Sequence, residues 1–265
     1  MDRRDFLRVA GGGYVLAATA STAGCSAQMP ASAIAAWSGP PQETDDVRRW
    51  ILGYAILAPH SHNLQSWVVD LATPGQIVLR CDLERLLPET DPFSRQIMMS
   101  HGTFLELLDM AARERGLRAD IKLFPEGVFG PDKPDRRPVA RIRLTPDPGV
   151  GKDPLFKQIL LRRTNRSLYE SRREVPAQAW ADMALAVKPY PLRLGFVSLD
   201  QPALLARHRA IAAEAWRIEL TTPRTVLESY KVLRVGADEV EKSPDGLCIL
   251  DPTVVMLNRL GLFDR

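Results

Sequence analysis

Two short stretches of the sequence carry side chains that could bind a ligand. The first, APHSHNLQSW at residues 58–67, packs two histidines, two serines, an asparagine and a glutamine into one polar segment. The second, at residues 160–176, places Arg162, Thr164 and Arg166 at alternate positions. In an extended backbone, alternate side chains point to the same side. Two guanidiniums that flank a hydroxyl suit a phosphate group, because arginine donates two hydrogen bonds in parallel.

Each stretch also has an ordinary interpretation. Residues 58–67 would serve as a turn between an apolar helix and a strand, since Asn and Ser favour turns. Residues 160–176 would form a solvated basic turn at a helix end, where arginines interact favourably with the helix dipole. Local chemistry does not separate these alternatives, so the remainder of the chain has to be considered.

A metal site and a hydrolase site are not favoured. His60 and His62 form an HxH pair, but the third candidate ligand, His101, lies far away in the sequence, and a zinc site needs at least three protein ligands. The GxSxG sequence of serine hydrolases does not occur in the chain.

The composition fits a globular protein without a nucleic-acid footprint. The chain has 265 residues, 45% of them hydrophobic, and its 35 basic and 32 acidic residues give a net charge of +3. Nucleic-acid binding requires basic residues clustered on one face, and no such cluster is visible. Cys25, Cys81 and Cys248 show neither the spacing of a metal site nor a disulfide framework.

Hydrophobic spacing predicts the elements that position the two stretches. Val47, Trp50, Ile51 and Tyr54 recur at helical intervals after a start at Thr44. The further expected elements are a β-hairpin at 66–72 and 76–82, a helix from about 93 to 116, strands at 118–125, 139–146 and 192–199, and helices at 153–163, 176–188 and 201–220. This order predicts a layered α+β domain and not an α/β domain built from successive βαβ units.

The N-terminus has the layout of an export signal. Residues 1–27 begin with charges, continue with the uncharged residues 9–24 and end in small residues. Arg3 and Arg4 resemble the twin-arginine (Tat) signal that carries folded proteins out of the bacterial cytoplasm. TAGC at 22–25 resembles a lipoprotein cleavage box, which would place a lipid anchor on Cys25. We therefore expect export to the periplasm or cell envelope, with no other contact with the membrane.

The two polar stretches together resemble motifs of the flavin-dependent nitroreductases. Members of that family carry RRSxRxF followed by a VP that starts a helix. They also carry APSxxNxQPW between a helix and a strand. The matching positions here are Arg162, Arg163, Thr164, Arg166, Tyr169, Val175 and Pro176 for the first motif, and Ala58, Pro59, Ser61, Asn63, Gln65 and Trp67 for the second. The first motif departs from the family's in having Thr164 for Ser and one extra residue before Tyr169. Two departures in the second motif are His60, where the family has Ser, and Ser66, where it has Pro.

The order of the motifs is reversed here, which resembles the Acg-type branch of fused pseudo-dimers. The resemblance runs from about residue 44 to 248 and implies a nitroreductase-like mixed sheet flanked by helices. The implied domains are the export signal at 1–27, a linker at 28–43, a first nitroreductase-like half at 44–150 and an incomplete second half at 151–265. Ordinary members of this family are homodimers in which the arginine motif of one subunit meets the Pro-Ser-x-x-Asn-x-Gln segment of the other at FMN. The resemblance therefore implies that residues 162–166 and 59–65 of this fused chain meet at one flavin.

The resemblance implies an FMN-dependent oxidoreductase. Arg162, Thr164 and Arg166 would bind the phosphate of FMN. Pro59, Ser61, Asn63 and Gln65 would lie at its ribityl chain and ring. NADH or NADPH would supply electrons, and a nitroaromatic or quinone-like molecule would accept them; no catalytic nucleophile or base is required from the protein. The alternatives are a flavin-sequestering protein with little turnover and a surface lipoprotein that binds no flavin.

Overall fold

The computed structural model describes residues 28–131, 133–164, 168–170 and 173–263. The predicted export signal at 1–27, including Cys25, lies outside the described residues. Internal contacts divide the chain into two compact units, of which the first comprises residues up to 162 and from 227 onward, and the second residues 163–226. The two nitroreductase-like halves and their boundary at residue 150 stay predictions.

A four-stranded antiparallel sheet forms the centre of the first unit. Its strands are β1 (Trp67–Asp70), β2 (Gln76–Cys81), β3 (Leu117–Leu123) and β4 (Pro138–Pro146), in the spatial order β1-β2-β4-β3. The predicted hairpin is confirmed, because β1 and β2 pair antiparallel with Val69 opposite Leu79. Leu79 also lies opposite Ala140 of β4, so the middle of the sheet is apolar on both sides of β2.

Two helices pack against this sheet. Helix α2 (Val47–Ala55) begins after Asp46, whose carboxylate accepts a hydrogen bond from the backbone N–H of Arg48. Helix α3 (Arg95–Glu114) is followed by Gly116 at a φ of +67°, a left-handed conformation that favours glycine and ends helices. The core between the helices and the sheet contains Trp50, Ile51, Tyr54, Ile77, Leu79, Ile97, Phe104, Leu108, Ala140 and Ile142. The predicted α+β class is confirmed.

The remaining described elements are shorter or belong to the second unit. The segment predicted as a linker contains α1 (Ala31–Ile34) and a 3-10 turn (Ala35–Ser38), and its Trp37 packs against the core. The other elements are 3-10 turns at Ser61–Asn63, Leu83–Arg85 and Phe156–Gln158, helices α4 (Ala177–Val187), α5 (Pro202–Thr221), α6 (Pro223–Lys231), α7 (Ala237–Lys242) and α8 (Pro252–Arg259), and strands β5 (Leu233–Val235) and β6 (Leu247–Ile249).

Two local predictions are wrong. The helix predicted at 153–163 is reduced to the 3-10 turn Phe156–Gln158, in which Asp153 accepts from the N–H of Leu155 and short-range bonds replace helical ones. The strand predicted at 192–199 is not formed. A strand needs a neighbouring strand to satisfy its backbone, and the described part of the chain gives this segment none.

The C-terminal residues from 227 onward belong to the first unit. Strands β5 and β6 pair in parallel. The carboxylate of Glu228 in α6 is buried and accepts hydrogen bonds from the backbone N–H groups of Glu89 and Thr90 and from the hydroxyl of Thr90. A buried carboxylate requires such donors, so this interaction fixes α6 to the loop that precedes α3.

We predict that Leu79→Ala lowers the free energy of unfolding by about 2–5 kcal/mol, because it leaves a cavity between α2, α3 and the sheet. Leu79 is fully buried, whereas Val68 on the neighbouring strand is 47% exposed. Val68→Ala is therefore the matched control and should cost less than about 1 kcal/mol. Urea unfolding followed by circular dichroism measures both values. Equal destabilisation by the two substitutions would contradict the described core.

Candidate functional site

The predicted ligand-binding segment forms a strained turn, which we call the polar corner and define as residues 59–66. His62, Asn63 and Gln65 have φ values of +50°, +54° and +52°. Left-handed backbone is uncommon for residues other than glycine, although Asn adopts it more readily than most. Such strain costs free energy and concentrates at functional sites. The polar corner is therefore a stronger candidate for a binding site than an ordinary turn.

Side chains of α3 hold the start of the polar corner. The backbone N–H of Ser61 donates to the hydroxyl of Ser100 at 3.0 Å. The hydroxyl of Thr103 donates to the carbonyl of Pro59 at 2.8 Å. Both α3 residues lie on the turns that follow the N-terminus of the helix, so the corner is fixed to the same helix that packs on the sheet.

His60 and Ser66, near the two ends of the polar corner, are joined by hydrogen bonds. The backbone N–H of Ser66 donates to Nε2 of His60 at 3.1 Å, and the Ser66 hydroxyl lies 2.7 Å from the same nitrogen. Because Nε2 accepts, Nδ1 carries the proton and donates to the carbonyl of Ser61 at 2.8 Å. The two departures from the family motif are thus partners in one interaction. A proline at 66 would have no N–H for the histidine to accept.

Burial keeps His60 neutral. It lowers the pKa of the imidazole to about 4 from an ordinary 6.5, and the hydrogen bond from Nδ1 to Ser61 opposes that shift only partly. The buried His101 ring lies 6.5 Å away between centroids, and burial lowers its pKa in the same direction. Neutral imidazoles fit the acceptor role of Nε2. The described residues contain no group of three or more His, Cys, Asp or Glu side chains that could hold a metal ion.

The predicted FMN-contacting side chains of the polar corner differ in how they are engaged. Asn63 is exposed, and among the described residues its amide makes no hydrogen bond. The Ser61 hydroxyl makes only long contacts, at 3.3 Å to Nδ1 of His62 and 3.4 Å to the Gln96 amide oxygen. The Gln65 amide nitrogen donates to the carbonyl of Pro244 at 3.0 Å. Asn63 and Ser61 therefore have the most capacity for a ligand.

The arginine motif is described in part. Nη2 of Arg162 donates to the carbonyl of Leu57 at 2.7 Å, and its guanidinium lies over the Trp37 ring at 5.5 Å from the centroid. Leu57 follows the C-terminal end of α2 and precedes Pro59 by two residues, so Arg162 reaches the end of the helix that leads into the polar corner. Thr164 is exposed, and Arg166 lies outside the described residues.

Sequence reasoning missed the segment 243–246, which contacts the polar corner from the C-terminal part of the first unit. The backbone N–H of Gly246 donates to the carbonyl of Asn63 at 3.1 Å, and Pro244 accepts from Gln65. The sequence SPDG at 243–246 indicates a turn. Nothing local in it points to a partner 179 residues earlier in the chain.

Two surface cavities lie away from the polar corner. One of about 670 Å³ is in the first unit, between α6, β5 and α7, and its lining includes Tyr230, Lys231 and Lys242. Another of about 380 Å³ is in the second unit, where the rings of Trp180 and Phe196 stack at 4.6 Å. Neither is lined by a residue that the sequence assigned to FMN. Among the described residues, no helix is both long and apolar enough to cross a membrane.

The chain is similar to known proteins of one kind. It is 32% identical over 169 residues to two proteins of Mycobacterium tuberculosis, from strains CDC 1551 / Oshkosh and ATCC 25618 / H37Rv, each named "Putative NAD(P)H nitroreductase". The match covers 63% of this chain and 45% of each relative, so the chain spans less than half the length of these relatives. No protein-family model matches the chain. The names of these two distant relatives agree with the resemblance of the two polar stretches to nitroreductase motifs.

We predict that the stability of the protein depends on the titration of His60. The His60 imidazole takes up a proton near pH 6.5 in the unfolded chain but only near a pKa of about 4 in the folded turn. The contribution of neutral His60 to the free energy of unfolding is therefore complete above pH 6.5. As the pH falls from 6.5 to 4, the free energy of unfolding should decrease by roughly 2–3 kcal/mol from this group. His60→Gln keeps an acceptor for Ser66 but does not titrate, and should flatten that slope.

The measurement is urea unfolding at a series of pH values between 4 and 7. The matched control is His208→Gln, which removes an exposed histidine and should leave the slope unchanged. A smaller slope should remain in His60→Gln, since burial also lowers the pKa of His101. Equal slopes in the wild type and His60→Gln would show that His60 is not buried as a neutral acceptor.

Proposed function

We propose that this protein is an FMN-binding oxidoreductase of the nitroreductase type. The observation that carries the proposal is the similarity over 169 residues to two proteins named as NAD(P)H nitroreductases. The matched length includes more than half of the chain and is longer than either polar stretch alone. The electron donor that those names contain, NADH or NADPH, is proposed here as well.

The chemistry of the polar corner fits FMN. The isoalloxazine ring and ribityl chain of FMN present both donors and acceptors. The exposed amide of Asn63 offers both kinds of group, and the hydroxyl of Ser61 does the same. Arg162 is held at the carbonyl of Leu57 and over Trp37, which places a permanent positive charge at the end of α2. A guanidinium suits the phosphate of FMN.

The roles of these residues are binding and orientation. Asn63 and Ser61 would bind the ring and ribityl chain, Pro59 ends the helical segment before them, and Arg162 would bind the phosphate together with Thr164 and Arg166. Gln65 would act through its amide oxygen, since its nitrogen is bonded to Pro244. When bound, FMN would supply the redox chemistry between the nicotinamide donor and a nitroaromatic or quinone-like acceptor. The protein needs no nucleophile or general base for this reaction.

Two other functions give different outcomes in the same assays. A flavin-sequestering protein would purify with FMN that dithionite reduces, yet oxidise neither NADH nor NADPH with any nitroaromatic or quinone. A surface protein without flavin would purify colourless and gain no visible absorbance after incubation with FMN. The oxidoreductase proposal requires both bound FMN and NADH- or NADPH-dependent reduction of an acceptor by the full chain.

We predict that Arg162→Ala combined with Arg166→Ala weakens FMN binding about tenfold or more, since charge-assisted bonds to a phosphate are among the strongest. Quenching of FMN fluorescence in a titration measures the dissociation constant. The control is Arg193→Ala combined with Arg207→Ala, which removes two exposed arginines and the same charge. Unchanged FMN affinity in the first double variant, with the wild-type circular dichroism spectrum, would remove the phosphate assignment.

We also propose that the protein is exported by the twin-arginine pathway to the periplasm or cell envelope, with a lipid anchor at Cys25. We predict that Arg3→Lys combined with Arg4→Lys keeps the charge but retains the protein in the cytoplasm, because the pathway reads the arginine pair. Cell fractionation measures the distribution, and Arg8→Lys is the control. Undiminished export of the double variant would contradict this route.

A further inference from the structure

The segment 243–246 holds the polar corner through both backbone and side-chain contacts. Gly246 donates its backbone N–H to the carbonyl of Asn63 at 3.1 Å. The Gln65 amide nitrogen donates to the carbonyl of Pro244 at 3.0 Å. Asn63 and Gln65 are two of the three corner residues with left-handed backbone. The segment therefore contacts the corner at its strained positions.

Asp245 connects this segment to the polar corner by charge. Its Oδ1 accepts from Nη2 of Arg234 at 2.7 Å, and its Oδ2 accepts from Nη1 of Arg85 at 3.1 Å. The same Nη1 of Arg85 donates to the carbonyl of Leu64, inside the corner, at 2.9 Å. The side chains of Asp245 and Arg234 are 17% and 18% exposed, so this pair is less screened than a surface ion pair.

Gly246 allows the segment to approach this closely. Its φ is +77°, a conformation that L side chains rarely adopt. A Cβ atom at this position would lie 2.3 Å from the carbonyl oxygen of Val232, a backbone atom that cannot rotate away. The N–H of Leu247, the next residue, donates to that same carbonyl at 2.8 Å. Glycine is thus required where the segment turns from the corner into β6.

We propose that residues 243–246 set the conformation of the polar corner and that Asp245 is a positioning residue for it. The left-handed residues of the corner cannot continue an α-helix or a strand, so contacts from outside add to the few local bonds of the 3-10 turn in stabilising them. Pro244 and Gly246 provide two of these contacts directly, and Asp245 acts on the corner through Arg85, which donates to the carbonyl of Leu64. The part of this inference that concerns a ligand rests on the proposed function, in which the corner presents Asn63 to FMN.

Amide hydrogen exchange of the flavin-free full chain tests the positioning role directly. Asp245→Asn keeps the size of the side chain but removes its charge, and should make exchange at residues 61–66 about tenfold faster, because charged hydrogen bonds are lost. Gly246→Ala should have the same effect or a larger one. The control is Asp238→Asn, whose carboxylate is 81% exposed in its ion pair with Arg259; it should leave exchange unchanged.

Binding of FMN gives the second measurement on the same proteins. Asp245→Asn should weaken FMN binding about tenfold and change the visible circular dichroism of the bound flavin, whereas Asp245→Glu, which keeps the charge, should recover most of the affinity. Loss of fold stability alone would leave the spectrum of the flavin that remains bound unchanged.

The two measurements separate the two proposals. Unchanged exchange at 61–66 in both Asp245→Asn and Gly246→Ala would overturn the positioning role, regardless of the affinity for FMN and of the spectrum of the bound FMN. Faster exchange in a protein that binds no FMN, or binds it with unaltered affinity, would support the positioning role and count against the corner as the flavin site. If Gly246→Ala does not fold, Asp245→Asn alone decides.

Discussion

The central constraint on this structure is that the polar corner must satisfy its backbone although no α-helix or strand continues through it. Three of its residues have left-handed backbone, so neither a helical nor a sheet ladder can continue through it. Each buried N–H and C=O then needs a specific partner. His60, Ser100 and Thr103 provide partners from the corner itself and from α3. Short-range bonds from the N–H of Asn63 to His60 and from the N–H of Leu64 to Ser61 provide two more, and the N–H of Gly246 donates to the carbonyl of Asn63.

This requirement makes a local turn depend on distant parts of the chain. The Gln65–Pro244 bond joins residues 179 positions apart, and Arg85 links the same two regions through Leu64 and Asp245. The C-terminal residues of the first unit are in turn fixed by the buried carboxylate of Glu228. The fold around the corner is therefore complete only when residues from both ends of the described chain have assembled.

The sequence predicted what depends on local periodicity. Helix α2, the hairpin β1–β2, helix α3 and strands β3 and β4 were all recognisable, because their apolar residues recur at the spacing of the element that forms. The strand expected at 192–199 has suitable residues, but strand formation also requires a neighbour, which a local pattern does not specify. For the site, the exposed amide of Asn63 lies in the predicted stretch, whereas Asp245 and Gly246 were missed because their partners lie far away in the sequence.

The pairing of His60 with Ser66 shows why motif comparison and physical interpretation differ. Taken one position at a time, both residues weaken the resemblance to the nitroreductase motif. Taken together, they form a hydrogen bond, in which Nε2 of His60 accepts from the backbone N–H of Ser66. A proline at position 66 would lack that N–H. One substitution therefore provides the acceptor for the donor that the other introduces. Most of the hydrogen bonds that hold the corner use the backbone, His60 or residues of α3, and leave the side-chain amide of Asn63 outside the network. In such a turn, the groups that hold the backbone differ from the side chains that would contact a ligand. The turn can therefore keep its conformation while those ligand-contacting side chains change.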